Sequence, residues 1–104
     1  GPMLLAEFKD RIINIHPALL PKFGGEGMYG MRVHEAVISS GETESGPSVH
    51  LVDSQYDHGP VLAQEKVPVL PEDTAETLQK RVLAVEHVLL PRAIQEIAKR
   101  RGKR

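Results

Sequence analysis

The chain has 104 residues, 40% of them hydrophobic, with no cysteine and a formal net charge of −1 at pH 7. This length allows one domain with a modest core, and the absence of cysteine excludes disulfides, thiolate nucleophiles and cysteine-based zinc sites, so a reducing cytoplasm is the expected compartment. No apolar stretch approaches the length of a membrane span, so we expect no membrane contact.

In chain order, the first predicted element is a short helix, because the apolar side chains of residues 4–8 share one helical face. Residues 11–16 then predict a strand. Pro17 ends that strand, because proline cannot donate a ladder hydrogen bond. Residues 18–30 contain a proline and four glycines, which predicts an ordered loop with unusual backbone angles.

The middle of the chain predicts a helix followed by two strands. Residues 31–40 have the apolar spacing of a helix that Gly41 ends, and residues 42–47 predict a turn. Residues 48–52 and 61–69 are strand-like and are joined by a turn-rich segment, which predicts a hairpin or near-hairpin.

The last predicted element is a long amphipathic helix. Asp73 and Glu76 have the spacing of a capping box, and apolar residues then recur at helical intervals: Leu78, Val82, Val85 and Leu89. Pro91 is expected to kink or restart the helix. The elements together predict an α/β fold with a mixed sheet of about three strands and a long C-terminal helix.

The two ends of the chain are interpreted separately. Gly1-Pro2 before Met3 resembles the remnant of a removed tag, so residues 1–3 are left out of the fold prediction. Five of the 13 basic residues lie within residues 99–104, which predicts a frayed, solvated helix end. A nucleic-acid-binding face needs basic groups spread out with aromatic residues among them, so no nucleic-acid partner is expected.

Four polar residues are candidates for chemistry. Asn14 and His16 point to the same face of the predicted strand, because side chains alternate along a strand, and they lie at its carboxyl end, where open α/β sheets hold ligands. His50 and Asp57 complete the set. An imidazole can transfer a proton, a carboxylate can orient the ring, and a carboxamide can donate to an oxyanion. Together they suit the addition of a nucleophile to a carbonyl group.

Each candidate also has a structural interpretation. His16 and His50 are candidates for ordinary hydrogen-bonded histidines of a strand, and Asp57 for a turn former. His34 is expected at the surface or in helix–loop packing. A metal site would draw on these histidines together with His58, but none of the spacings follows a known ligand motif, so no metal is expected.

Three segments in order carry a family resemblance: Asn14-Ile15-His16-Pro17-Ala18-Leu19-Leu20-Pro21, the Met28-Tyr29-Gly30 stretch with Val33-His34-Glu35-Ala36, and residues 48–61. They resemble the folate-dependent formyltransferases over residues 4–98. The middle segment is most similar to the branch that acts in purine biosynthesis. Relatives that formylate methionyl-tRNA or hydrolyse formyltetrahydrofolate share the Asn-x-His strand and the aspartate turn, and they are the alternative.

The resemblance implies a transferase with the carboxy-terminal half of a Rossmann-like fold. The amine of glycinamide ribonucleotide would attack the formyl group of the cosubstrate 10-formyltetrahydrofolate, without a metal. Asn14 and protonated His16 would stabilise the oxyanion, and Asp57 would raise the histidine pKa and relay a proton. The resemblance places substrate and folate binding on His50, Ser54, Gln55, Tyr56 and Gly59.

The chain also departs from the family, whose members are longer and carry a glycine-rich phosphate loop that this sequence lacks. The strand at 11–16 would have a parallel neighbour from that part, so Ile13, Ile15 and a bare strand edge are expected to be exposed. We therefore expect a homo-oligomer or a missing amino-terminal half as partner. A non-catalytic module that acts in assembly is the alternative from another class.

Overall fold

The computed structural model describes residues 6–8, 11–52 and 60–102. Its elements, in order, are β1 (Ala6–Phe8), β2 (Arg11–His16), α1 (Met31–Ser39), β3 (Glu44–Ser45), β4 (Ser48–Val52), β5 (Val61–Gln64), β6 (Val67–Pro68) and α2 (Ala75–Gly102). The predicted α/β class with a long C-terminal helix is confirmed.

The main sheet has four strands in the order β1-β2-β4-β5, and every neighbouring pair is antiparallel. The β4–β5 pair is the predicted hairpin. A second sheet consists of β3 and β6 alone. The parallel neighbour expected for β2 is therefore absent from the described part of the chain, and β1 pairs with residues 11–13 of that edge instead.

The predicted helix at residues 4–8 is wrong for its described part, because residues 6–8 form β1 and pair with β2. A helix of one turn leaves most of its backbone groups without partners, whereas the edge of β2 offers each of residues 6–8 a partner in an antiparallel pair. Ile13 and Ile15 are 0% and 4% exposed, so the expected exposure of these side chains is also wrong. Within the described residues, β1 pairs with Arg11, Ile12 and Ile13 of the β2 edge.

Two further predictions need correction around the second sheet. The turn predicted at residues 42–47 contains the short strand β3, and the single strand predicted at 61–69 is divided into β5 and β6. The division follows from pairing, because β5 bonds to β4 whereas β6 bonds to β3. The chain crosses between the two sheets at Glu65-Lys66, beside the backbone of Gly46.

The N-terminus of α2 is capped one residue later than the sequence predicts. Thr74 and Thr77 bond reciprocally: the Thr77 amide donates to Thr74 Oγ1 (3.2 Å) and the Thr74 amide to Thr77 Oγ1 (2.9 Å), so the predicted Asp73/Glu76 box is wrong. Asp73 instead accepts two hydrogen bonds from Arg81, at 2.6 and 3.0 Å. The bonds from Arg81 hold the pKa of the Asp73 carboxyl well below its usual range.

Helix α2 packs on both sheets. Leu78 and Val82 contact Val37 of α1 and Val67 of β6 in one buried cluster. Further along α2, three buried residues pack on the inner face of the main sheet: Leu89, Leu90 and Ala93. The helix does not restart at Pro91, and it remains helical into the basic segment 99–104 as far as Gly102.

Neither α1 nor α2, the two helices of the described ranges, has the length and apolar character needed to cross a bilayer.

Candidate active site

The site lies at the carboxyl end of β2, where Asn14 and His16 project from the same face. Antiparallel pairing places His50 of β4 directly opposite Asn14, and Ser48 opposite His16. Directly opposed residues in an antiparallel pair share a face and are close neighbours. Three of the predicted site residues are therefore gathered on one face of the sheet by strand register.

The carboxamide of Asn14 is held by His50. Asn14 is 3% exposed, and its Nδ2 lies 3.4 Å from His50 Nε2. His50 Nδ1 lies 3.3 Å from the carbonyl of Leu51. Since a carbonyl only accepts, Nδ1 carries the ring proton, and Nε2 accepts from the Asn14 amide. His50 thus sets which way the carboxamide faces, a role that the sequence did not indicate.

His16 is fixed from the other side by the loop that follows it. Its Nε2 donates to the carbonyl of Phe23 over 2.6 Å. Phe23 itself has a left-handed backbone with φ 56°, a conformation that is uncommon for a residue with a side chain. Because Nε2 must carry a proton to make this bond, a second proton on the ring can reside only on Nδ1.

The sequence predicts His34 either at the surface or in helix–loop packing. The surface placement is wrong, because the His34 side chain is 0% exposed. It lies on the buried face of α1 beside Val33 and Val37. Burial, with a further contribution from the charge of His16, lowers the pKa of His34 to about 4. The apolar spacing of Val33 and Val37 was the available signal, since a buried helical face is wide enough to include position 34.

The contribution of His34 to the stability of the chain is expected to fall as the pH falls from about 6.5 to about 4. The unfolded chain takes up the proton near pH 6.5, but the folded chain only near pH 4. In that window the unfolded state binds more protons, so acid favours unfolding, by about 2 kcal/mol from this group. Urea unfolding at pH 7 and pH 4.5 measures the loss, which His34→Gln should reduce.

The matched control is His87→Gln, which removes an exposed histidine from α2. It should leave the difference between the two pH values close to that of the unchanged chain. Identical pH dependence of His34→Gln and the unchanged chain would contradict the assignment.

The remaining predicted site residues lie outside the described residues: Ser54, Gln55, Tyr56, Asp57 and Gly59, together with His58 of the weighed metal site. Among the residues that are described, no three histidine, aspartate or glutamate side chains are grouped as a metal site would require. The described site therefore consists of a carboxamide and two imidazoles.

Two polar residues beside this site were missed by the sequence analysis. Ser48 is 0% exposed, and Gln64 lies opposite it on β5. Both bond to the loop after His16. A serine at the start of a strand and a glutamine on an edge strand carry no local signal of such a role.

Comparison with known proteins places this arrangement in a family. The model of the formyl transferase family matches residues 1–94. A chloroplastic phosphoribosylglycinamide formyltransferase of Vigna unguiculata is 53% identical over 98 residues, which cover 94% of this chain and 31% of that protein. Its counterpart from Arabidopsis thaliana is 51% identical over 96% of this chain and 34% of its own length. The chain thus spans about a third of these relatives.

Solved structures similar to this chain include proteins with the same name as its sequence relatives. Phosphoribosylglycinamide formyltransferase from Brucella melitensis has a TM-score of 0.73 at 49% identity, covering 83% of this chain and 41% of that one. Glycinamide ribonucleotide transformylase 1 from Symbiobacterium toebii has a TM-score of 0.74 at 40% identity, covering 84% and 39%. On the family match and these likenesses, the chain belongs to the formyl transferase family.

Proposed function

We propose that this chain carries the reaction-centre part of an enzyme that transfers a formyl group from 10-formyltetrahydrofolate to the amine of glycinamide ribonucleotide in purine biosynthesis. The observation that carries the proposal is the placement of Asn14, His16 and His50 on one sheet face, with the Asn14 amide bonded to His50. The names of the plant, Brucella and Symbiobacterium relatives support the substrate.

The chemistry follows from which atoms can donate. Attack of an amine on the formyl carbon places negative charge on the formyl oxygen, and hydrogen-bond donors aimed at that oxygen lower the barrier. Asn14 Nδ2 has a second N–H besides the one directed at His50. His16 Nε2–H is committed to Phe23, so the proposed donor to the oxyanion is Nδ1–H of the protonated ring. Asp57 is proposed to favour the protonated ring through its negative charge, and to relay the proton that the attacking amine loses to the folate nitrogen. That nitrogen leaves as its bond to the formyl carbon breaks and the new amide bond is formed.

We propose that the rest of the site comes from a segment that this chain does not contain. The solved relatives extend beyond it, since it covers 39–41% of the Symbiobacterium and Brucella chains. We also propose a reducing compartment such as the cytoplasm, on the absence of cysteine. The plant relatives are named chloroplastic.

The proposed function is tested by complementation. The chain is mixed with 10-formyltetrahydrofolate and glycinamide ribonucleotide, either alone or with a fragment of the Brucella protein that contains the part without a counterpart here. Formylated product is measured by mass spectrometry. We expect transfer with the fragment and little without it.

A matched control uses Glu35→Gln, a change of an exposed α1 residue that should leave the rate unchanged. Omitting glycinamide ribonucleotide and measuring released formate tests the hydrolase alternative. If the fragment and chain form a complex that transfers nothing, the proposed function is wrong and the non-catalytic module is favoured.

A further inference from the structure

The segment after His16 is anchored to the sheet by Ser48. The Ser48 hydroxyl donates to the carbonyl of Ala18 over 2.7 Å and accepts from the amide of Leu20 over 3.1 Å. Ser48 is 0% exposed, and a hydroxyl buried in this way destabilises the fold if it is left without hydrogen-bond partners. The loop base is thus fixed to β4 by a buried polar contact.

Gln64 completes this anchor from the neighbouring strand. Its Nε2 donates to the carbonyl of Leu20 over 2.8 Å and to Ser48 Oγ over 3.0 Å. The two amide hydrogens of Gln64 are therefore both used. The Ser48 hydroxyl, with one donated and two accepted bonds, has its full hydrogen-bonding capacity filled.

Strand register explains why these residues act together. His16 lies opposite Ser48, and Ser48 lies opposite Gln64, so the three form one row across β2, β4 and β5. Opposed side chains of adjacent strands share a face. The row connects an edge-strand glutamine to the histidine at the proposed reaction centre.

The loop after His16 links this row of side chains back to the His16 ring. It leaves β2 at His16, is tied down at Ala18 and Leu20, and returns so that the carbonyl of Phe23 accepts from His16 Nε2. If the loop base were released, the Phe23 carbonyl would lose its fixed position relative to the ring. The hydrogen bond that keeps the proton on Nε2 would then weaken.

We propose that Gln64 is a positioning residue for His16, acting through Ser48 and the loop so that the Phe23 carbonyl holds the His16 ring. The hydrogen bond from His16 Nε2 to the Phe23 carbonyl is observed in this chain and does not depend on the proposed function. Only its consequence for catalysis rests on the proposed function, where a fixed Nε2–H leaves Nδ1 as the nitrogen that gains and loses the proton.

The test uses two variants that preserve side-chain length but remove the amide donors, Gln64→Met and Gln64→Glu. The chain is labelled with ¹⁵N-histidine, and long-range ¹H–¹⁵N spectra report the proton on His16 Nε2, assigned by its loss in His16→Gln. We expect a slowly exchanging Nε2–H in the unchanged chain. Exchange with water should become about tenfold faster in both variants, as for the loss of about one hydrogen bond.

Gln95→Met, on the exposed face of α2, is the control and should leave the signal unchanged. Circular dichroism verifies that each variant is folded, and Ser48→Ala removes the same anchor from β4 if a Gln64 variant does not fold. Unchanged His16 exchange in folded Gln64→Met and Gln64→Glu would overturn the proposal.

The complementation assay separates this proposal from the proposed function. A fall in kcat of the Gln64 variants with an unchanged KM for folate supports both. A changed His16 signal in chains that transfer no formyl group under any condition supports the positioning of His16 and rejects the proposed function. Transfer at an unchanged rate with an unchanged signal rejects the positioning alone.

Discussion

Gly46→Ala is expected to prevent stable folding of the chain. A Cβ atom at this position would collide with the carbonyl oxygen of Glu65, and it would lie 2.9 Å from the Glu65 carbonyl carbon and 3.1 Å from Lys66 Cα. All three are backbone atoms, so no side chain can rotate away. The φ of +138° adds strain for any residue other than glycine. We expect a loss of about 4 kcal/mol or more, seen as a lost or greatly lowered thermal transition in circular dichroism.

Gly25→Ala separates the destabilisation caused by the clash of a Cβ atom with neighbouring backbone from the destabilisation caused by a positive φ. Gly25 also has a positive φ, of +91°, but a Cβ there meets nothing within 4 Å. Its substitution should therefore cost only the backbone term, about 1–2 kcal/mol. Equal destabilisation by the two substitutions would mean that the close approach of Gly46 to Glu65 is not what fixes the crossing between the sheets.

His16→Ala is expected to lower formyl transfer in the complemented assay by about 10²–10⁴-fold, the contribution of one acid–base group. The loss should appear in kcat rather than in the KM for folate, because the ring is proposed to act on the oxyanion that forms during the reaction. The bond to Phe23 disappears as well, so a loss of about 1 kcal/mol in stability should accompany it.

A control variant and a test of folding accompany the His16→Ala measurement. His87→Ala, on the exposed face of α2, should retain the full rate, and folding of both variants is verified by urea unfolding. A His16→Ala rate within tenfold of the unchanged chain would contradict a direct role of this histidine, whatever its effect on stability.

The elements that could be predicted from the sequence are those whose pattern is local. The short apolar run in residues 11–16, ended by Pro17, and the helical spacing in 31–40 and 75–98 lead directly to β2, α1 and α2. The corrected elements depend on distant partners. β1 exists because the edge of β2 accepts it, and residues 61–69 are divided because β6 pairs with a strand that comes about 20 residues earlier.

In the candidate site too, local features could be predicted from the sequence, whereas contacts between distant residues could not. The shared face of Asn14 and His16 follows from the two-residue period of a strand. The pairing of Asn14 with His50 follows from the register of β2 against β4, which one residue of slippage would abolish. Gln64 had no local signal at all. Asp57 lies outside the described residues and stays a prediction.

Helix α2 connects the two buried clusters of the molecule, since its first turns pack against α1 and β6 and its later turns against the main sheet. Neither cluster can come apart without freeing part of a helix on which the other depends. The two sheets should consequently unfold in a single cooperative transition. A substitution that weakens the packing around Leu78 should therefore also lower the stability of the strand that bears Asn14 and His16.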